Sequence, residues 1–230
     1  MKRFYKAVSV GEDEGGFRIL LDGRPVQTPA KNPLVLPTRA LADVVAAEWA
    51  GQGETIDPVA MPLLRLANTV IDGAANHEAL IAAILRFGEN DLLCYRAHQP
   101  PELARRQGEA WDPFLEWAER QFGAKLAVAA GLNHIDQPPE AIAALRAAIT
   151  AFDPFALAGL HVIASVTGSL LLGLAMAEGR TSPAHAFKLS RLDEDYQAEK
   201  WGTDREAEIR AAALARELDK AHELIALTRD

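Results

Sequence analysis

The sequence lacks most of the features by which secreted proteins and common enzymes are recognised. Cys94 is the single cysteine among 230 residues, so no internal disulfide can form and a reducing compartment is expected. Cys94 lies in an apolar stretch and is predicted to be a small buried side chain. No phosphate loop of the G-x-x-x-x-G-K-[ST] type, no G-x-G-x-x-G turn and no G-x-S-x-G elbow is present. We therefore expect no nucleotide and no other cofactor.

Positive charge is also scarce. The 24 Lys and Arg residues are outnumbered by 32 Asp and Glu residues, which gives a net charge of −8. Nucleic acids and anionic membranes select basic surfaces, so neither is an expected partner. The six histidines are never three or four positions apart, and no metal site is predicted.

Long apolar runs are limited to residues 155–177, which are long enough to span a membrane. This stretch also contains His161, three Ser or Thr residues and three glycines, and no Lys or Arg cluster flanks it. It is predicted to be a central buried helix, with a membrane-associated assembly factor as a rival interpretation. The N-terminal MKRFYKAVSV has neither an apolar signal core nor an Arg- and Ser-rich leader, so neither secretion nor import is expected.

The first hundred residues predict a small sheet with helices. Alternating residues within 4–36 predict a β-meander with a tight hairpin at Asp22-Gly23 and a short strand in NPLVLP. Thr38 is a predicted cap of the helix that follows. A segment around Cys94, DLLCYRA, is a candidate strand that rejoins the first sheet.

The remaining residues predict helix after helix. The expected helices cover residues 101–122, 139–151, 154–178, 183–201 and 204–228. The fold class is therefore α+β, with a small N-terminal sheet and helices followed by a C-terminal orthogonal helical bundle. We predict an α+β domain over residues 1–98 and a helical domain over 99–230, with Gly51–Pro58 as the alternative boundary.

The segment RLDEDYQAEKWG, residues 191–202, combines acids and aromatics on one predicted helix. Helical spacing places Leu189, Leu192 and Tyr196 on a buried stripe. The neighbouring stripe contains Asp193, Gln197 and Trp201, a mixture of acid, amide and indole that is typical of a partner surface. Two other interpretations stay open: a metal-dependent hydrolase that uses the acids, and a purely structural role for the aromatics.

Several segments together resemble a known family. They are RFYKAVSV, LDGRPVQTPAKNPLVLPT, AAEWAGQGETIDPVAMPLLRLANTVID, NDLLCYRA and DEDYQAEKWG. Their order is similar to that in the assembly chaperones of the F-type ATP synthase catalytic sector, and the resemblance covers residues 3–213.

The resemblance implies a chaperone rather than an enzyme. Members of that family bind the free α subunit, shield its β-facing interface and release it as the α/β ring forms. The sequence lacks a mitochondrial leader, so a bacterial cytoplasm is expected, whereas eukaryotic relatives work in the mitochondrial matrix.

The resemblance also supplies candidate site residues. The predicted partner-binding residues are Asp193, Glu194, Tyr196, Gln197 and Trp201. Other positions match the family motifs and are either structural or partner-binding: Arg24, Thr28, Pro29, Lys31, Asn32, Pro33, Glu48, Trp49, Gln52 and Gly202. Trp49 is expected in the core rather than at an interface, and Gly202 is predicted to be a left-handed helix stop.

Overall fold

The computed structural model describes residues 1–73, 76–131 and 133–229. It is 62% helix and 11% strand, which confirms the predicted α+β class. The strands are β1 (Val8–Asp13), β2 (Gly16–Leu21), β3 (Arg24–Pro25), β4 (Val35–Leu36), β5 (Tyr95–Arg96) and β6 (Ala129–Ala130). The helices are α1 (Arg39–Ala50), α2 (Pro62–Asp72), α3 (His77–Glu89), α4 (Pro101–Phe122), α5 (Pro139–Thr150), α6 (Pro154–Thr167), α7 (Leu170–Ala177), α8 (Pro183–Ser190), α9 (Leu192–Trp201) and α10 (Arg205–Thr228).

The described residues form two compact units. The first unit contains residues 1–73, 76–77, 153–159 and 223–229, and the second contains residues 78–131, 133–152 and 160–222. The boundary expected near residue 98 stays a prediction.

The first unit is built on an antiparallel sheet in which β2 pairs with β1, β3 and β4. The predicted hairpin between β2 and β3 is confirmed, because Asp22 and Gly23 take φ values of 50° and 78°. The Asp22 carboxylate accepts hydrogen bonds from the backbone N–H groups of Ala7 and Lys6, and these bonds lower the pKa of Asp22. Thr38 begins α1 as predicted, since its hydroxyl oxygen accepts from the N–H of Leu41 at 3.2 Å.

The second unit is helical, with one small departure from the expected topology. The DLLCYRA segment does not rejoin the first sheet. Its residues Leu92–Cys94 form a 3₁₀ turn, and β5 pairs in parallel with β6 in a separate two-stranded sheet. Cys94 is fully buried, and burial raises the pKa of its thiol to about 12.

Two predicted long helices are each broken into two. Residues 154–178 divide into α6 and α7, because Gly168 takes a φ of 67° and the Ser169 hydroxyl oxygen then accepts from the N–H of Leu172 at 3.0 Å. The buried Asp91 carboxylate also accepts from the N–H of Leu171 at 3.0 Å, so the new helix start is capped twice. Residues 183–201 divide into α8 and α9 at Arg191.

The break between α6 and α7 also bears on the membrane-span interpretation. Across residues 1–73, 76–131 and 133–229, no helix combines the length and the apolar character needed to cross a bilayer.

Candidate functional site

The acidic-aromatic helix α9 lies against α4 through its inward face. Tyr196 and Leu189 are 7% and 6% exposed, while Leu192 is half-buried. The indole N–H of the buried Trp111, on α4, donates to the backbone carbonyl of Leu189 at 3.0 Å. Two of the three residues of the predicted buried stripe are therefore buried, and Leu192 is half-buried. The bond from Trp111 to Leu189 fixes the start of α9 relative to α4.

Asp193 turns toward α4 rather than toward solvent. Its carboxylate accepts a 2.7 Å hydrogen bond from the side-chain amide of Gln107. Gln107 is fully buried, and its amide oxygen accepts from the N–H of Ala97, also at 2.7 Å. Asp193 therefore satisfies a buried donor, which is a structural role whether or not the residue also touches a partner.

An ion network surrounds the ring of Tyr196. The Tyr196 hydroxyl donates to Glu102 at 3.3 Å, and the guanidinium of Arg106 lies 5.2 Å from the ring centroid. Arg106 also bonds Glu102 and Glu199, each at 2.8 Å. The hydrogen bonds to Glu199 and Glu102 raise the pKa of Arg106, and the bond from Arg106 lowers the pKa of Glu102. Glu102 and Arg106 on α4 thus hold Tyr196 and Glu199 on α9.

Three of the four acids that α9 offers for metal-dependent chemistry interact with other protein side chains. Asp193 is bonded to Gln107, Glu199 pairs with Arg106, and Asp195 lies 3.9 Å from Arg191. Among the residues that the structure describes, no group of three or more His, Cys, Asp or Glu side chains is placed to hold a metal ion.

The opposite face of α9 carries three exposed side chains, Glu194, Gln197 and Trp201, which we call the outer face. Their spacing of three and four positions aligns them along the helix. Trp201 is 79% exposed, which is unusual for the largest apolar side chain. The sequence pattern had grouped Asp193 with Gln197 and Trp201, whereas in the structure Glu194 aligns with them. Partner binding by these residues stays a prediction.

Gly202 ends α9 with a backbone that other residues rarely adopt. Its φ is 89°, as the predicted helix stop requires, but its ψ of 167° lies outside the left-handed helical region. This combination is open essentially to glycine. An added Cβ would meet no atom within 4 Å, so the requirement for glycine comes from the backbone alone.

The TPAKN motif of the first unit is a turn organised by Asp72. The Asp72 carboxylate accepts from the Thr28 hydroxyl at 2.5 Å, from the Asn32 side chain at 2.9 Å and from the N–H of Ala30 at 3.2 Å. The bond from Thr28 is the main cause of a lowered pKa of Asp72. Lys31 takes a φ of 67° within this turn. The sequence analysis did not identify Asp72 as the residue that organises this turn. The available signal was its position as an acid at the last residue of α2.

The AEW motif performs a similar structural task. The Glu48 carboxylate accepts from the N–H groups of Leu63 and Leu64, both at 2.9 Å, and so caps the start of α2. Gln52 is buried and bonds the backbone of Glu48 and Asp57.

Trp49 lies in the core of the first unit, where its ring meets Tyr5 edge to face at 5.6 Å. The remaining motif residues, Arg24, Pro29, Lys31 and Pro33, are exposed.

Comparison with known proteins places this architecture in one family. The model of the ATP12 chaperone protein family matches residues 2–119. A mitochondrial protein of Schizosaccharomyces pombe, atp12, is 26% identical over 215 residues, which is 88% of this chain and 74% of that protein.

Two bacterial structures are more similar to this chain. The crystal structure of Atp12 from Paracoccus denitrificans superposes with a TM-score of 0.96 at 44% identity, covering 99% of this chain and 98% of that one. The Atu1473 protein of Agrobacterium tumefaciens, described as a candidate chaperone, gives a TM-score of 0.96 at 48% identity over 99% of this chain and 86% of that one.

The fold is thus the α+β fold of the Atp12 proteins along nearly its whole length. The chain belongs to the ATP12 chaperone family. The resemblance to assembly chaperones of the F-type ATP synthase is confirmed.

Proposed function

We propose that the protein binds the free α subunit of the F-type ATP synthase and covers its β-facing surface until the α/β ring forms. A lone ring subunit exposes a large apolar interface that a neighbouring subunit later covers. Membership of an ATP synthase assembly chaperone family supports a subunit of that enzyme as the partner. The choice of the α subunit rests on the ordered motifs described above.

The observation that carries the proposal is the exposed Trp201 on an anchored helix. An indole side chain buries about 150–250 Å² when covered, which corresponds to roughly 4–6 kcal/mol of apolar transfer before the costs of association. Glu194 and Gln197 lie beside it and can orient a partner through hydrogen bonds and charge. We therefore place the outer face of α9 within the contact surface.

The proposed role is binding and release, without catalysis or nucleotide use. Three of the four α9 acids, Asp193, Glu199 and Asp195, are engaged by Gln107, Arg106 and Arg191. A bacterial cytoplasm is the proposed location. The bacterial relatives share 44% and 48% identity with this chain, against 26% for the mitochondrial protein, which supports that assignment.

The test is capture of the free α subunit by variants of the outer face. Trp201→Ala should weaken binding by about 2 kcal/mol, or roughly 30-fold, as central aromatic contacts do. Glu194→Lys should weaken it as well, because a reversed charge adds repulsion. Capture is measured with purified α subunit, and by the amount of soluble α subunit on co-expression.

Glu140→Lys is the matched control for Glu194→Lys. Both acids are exposed and lie in the first turn of a helix, so both changes remove the same favourable interaction with the helix dipole. The control should bind as the unmodified protein does. Undiminished capture by Trp201→Ala and Glu194→Lys would remove the outer face from the proposed contact surface, and failure of the unmodified protein to bind the α subunit would refute the proposed function itself.

A further inference from the structure

A groove of about 710 Å³ lies between α4, α8 and α9, on the side of α9 away from its outer face. All of its lining residues belong to the second unit. Its apolar wall includes Pro113, Phe114 and Leu192. The rest of the lining is largely charged, so its electrostatics depend on which charges are already paired.

Every acid in the groove already has a cation. Glu109 is bonded to Arg105 at 2.6 Å, Glu199 to Arg106 at 2.8 Å, and Asp195 lies 3.9 Å from Arg191. The acids of the groove therefore offer little attraction to an incoming cation.

Two cations in the same lining are not neutralised in this way. Within the described part of the chain, neither Arg180 nor Lys188 forms an ion pair, and both line the groove. The guanidinium of Arg180 lies over the rings of Phe114 and Trp117, 5.9 and 5.6 Å from their centroids. These cation–π contacts hold the guanidinium near the two rings without using its N–H groups, which are therefore available for a carboxylate.

His185 adds a third donor on the same side. Its Nδ1 lies 3.0 Å from the Thr181 hydroxyl oxygen, which orients the ring, and the residue is exposed beside Lys188 on α8. A planar cation, an ammonium group and an imidazole next to apolar side chains form a receptor for a carboxylate that adjoins an apolar group.

We infer that this groove binds a segment of the partner protein that presents an Asp or Glu carboxylate beside an apolar side chain. Charge complementarity carries the inference: the protein has a net charge of −8, yet the unpaired charges of this groove are positive. The inference rests on the proposed function for the partner's identity. It extends the contact surface from the outer face of α9 to the opposite side of the same helix.

The test uses overlapping short peptides that tile the α and β subunits of the host ATP synthase, immobilised and probed with the full-length protein. Peptides that combine an acid with an apolar residue should be captured. Lys188→Glu should reduce their capture about tenfold or more, since charge reversal replaces attraction by repulsion. Arg180→Gln should act in the same direction, and raised salt should weaken capture by the unmodified protein more than by either variant.

Arg86→Glu is the matched control, because Arg86 and Lys188 are both exposed cations in the last turn of a helix and Arg86 does not line the groove. It should leave capture within about twofold of the unmodified protein, as expected for a surface charge outside the contact. Equal capture by Lys188→Glu and the control would overturn the inference. Inorganic phosphate is tested for binding in parallel, and binding of phosphate with no peptide captured would also overturn it. Groove-dependent capture of β peptides alone would uphold the groove and refute the choice of the α subunit.

Discussion

Substitution of two adjacent acids on α9 should change stability by very different amounts. Asp193 and Glu194 are sequence neighbours in the first turn of the helix, but only Asp193 bonds a buried group. Removing its carboxylate in Asp193→Ala leaves the amide N–H of Gln107 without its acceptor in a fully buried position. We therefore expect Asp193→Ala to destabilise the protein and Glu194→Ala to have little effect.

The magnitude follows from the buried donor. An unsatisfied buried donor costs about 1–3 kcal/mol, and we take about 2 kcal/mol for Gln107. For a protein of this size each kcal/mol lowers the unfolding midpoint by about 2–4 °C, so the expected decrease is about 4–8 °C. Glu194→Ala loses only the helix-dipole interaction, worth about 0.3–1 kcal/mol, and Asp193→Ala loses that as well.

The assay is thermal unfolding followed by circular dichroism, with Asp193→Asn as a third variant. The asparagine oxygen can still accept from Gln107, so Asp193→Asn should recover most of the loss. Equal midpoints for Asp193→Ala and Glu194→Ala would refute the assignment of Asp193 to a structural hydrogen bond. Equal midpoints for Asp193→Ala and Asp193→Asn would show that the bond to Gln107 contributes nothing.

Three further predictions concern the helix stop, a buried carboxylate and nucleotide binding. Gly202→Val should lower the free energy of unfolding by about 1–2 kcal/mol, because the φ of Gly202 is 89°. The control is Gly53→Val, which should cost less because φ is ordinary there and an added Cβ would meet no atom within 4 Å. Denaturant titration of both variants makes the comparison. Burial raises the pKa of Asp91 from 3.8 to about 6, so the folded state holds the proton more tightly and stability falls as pH rises through this range. Relative to Asp91→Asn, the unmodified protein should lose about 3 kcal/mol in total, from about one pH unit below 3.8 to about one pH unit above 6. A difference that stays constant across this pH range would contradict the burial argument. Calorimetry with Mg-ATP should detect no binding, and a saturable heat would contradict the proposed function.

Local signals were sufficient for much of the fold. The Asp22-Gly23 pair specified a hairpin because both residues tolerate positive φ, and Thr38 specified a helix start through its hydroxyl acceptor. These features depend on residues close together in the chain, which is why the sequence alone predicted them.

The broken helices depend on distant residues. Ser169 caps α7 locally, but the second cap comes from Asp91, which is far away in sequence and buried where the two segments meet. Apolar periodicity cannot report such a contact, so residues 154–178 were predicted as one helix. The same limitation hid Asp72, whose hydrogen-bond partners lie in a turn near residue 30.

In the candidate site, too, contacts within one helix were predictable from the sequence and contacts between helices were not. Spacing predicted that Leu189 and Tyr196 face inward, because apolar side chains on one helical stripe seek the core. It could not predict that Asp193 also turns inward, since its partner Gln107 lies on another helix and carries no periodic signal. Glu194, rather than Asp193, therefore aligns with Trp201 on the outer face.

The inward contacts of α9 have a consequence for binding by its outward face. A helix held by the Gln107–Asp193 bond and by the Arg106–Glu199 pair is already ordered before a partner arrives. Binding through Trp201 then loses less conformational entropy than binding through a mobile segment would, and a larger part of the contact energy appears as affinity. Asp193 should accordingly influence capture of the α subunit through the position of α9, whether or not its side chain also touches the partner. Asp193→Ala should weaken capture together with a loss of stability, because it loosens α9. Trp201→Ala should weaken capture at unchanged stability. Measuring stability and capture for both variants therefore separates an anchoring residue from a contact residue.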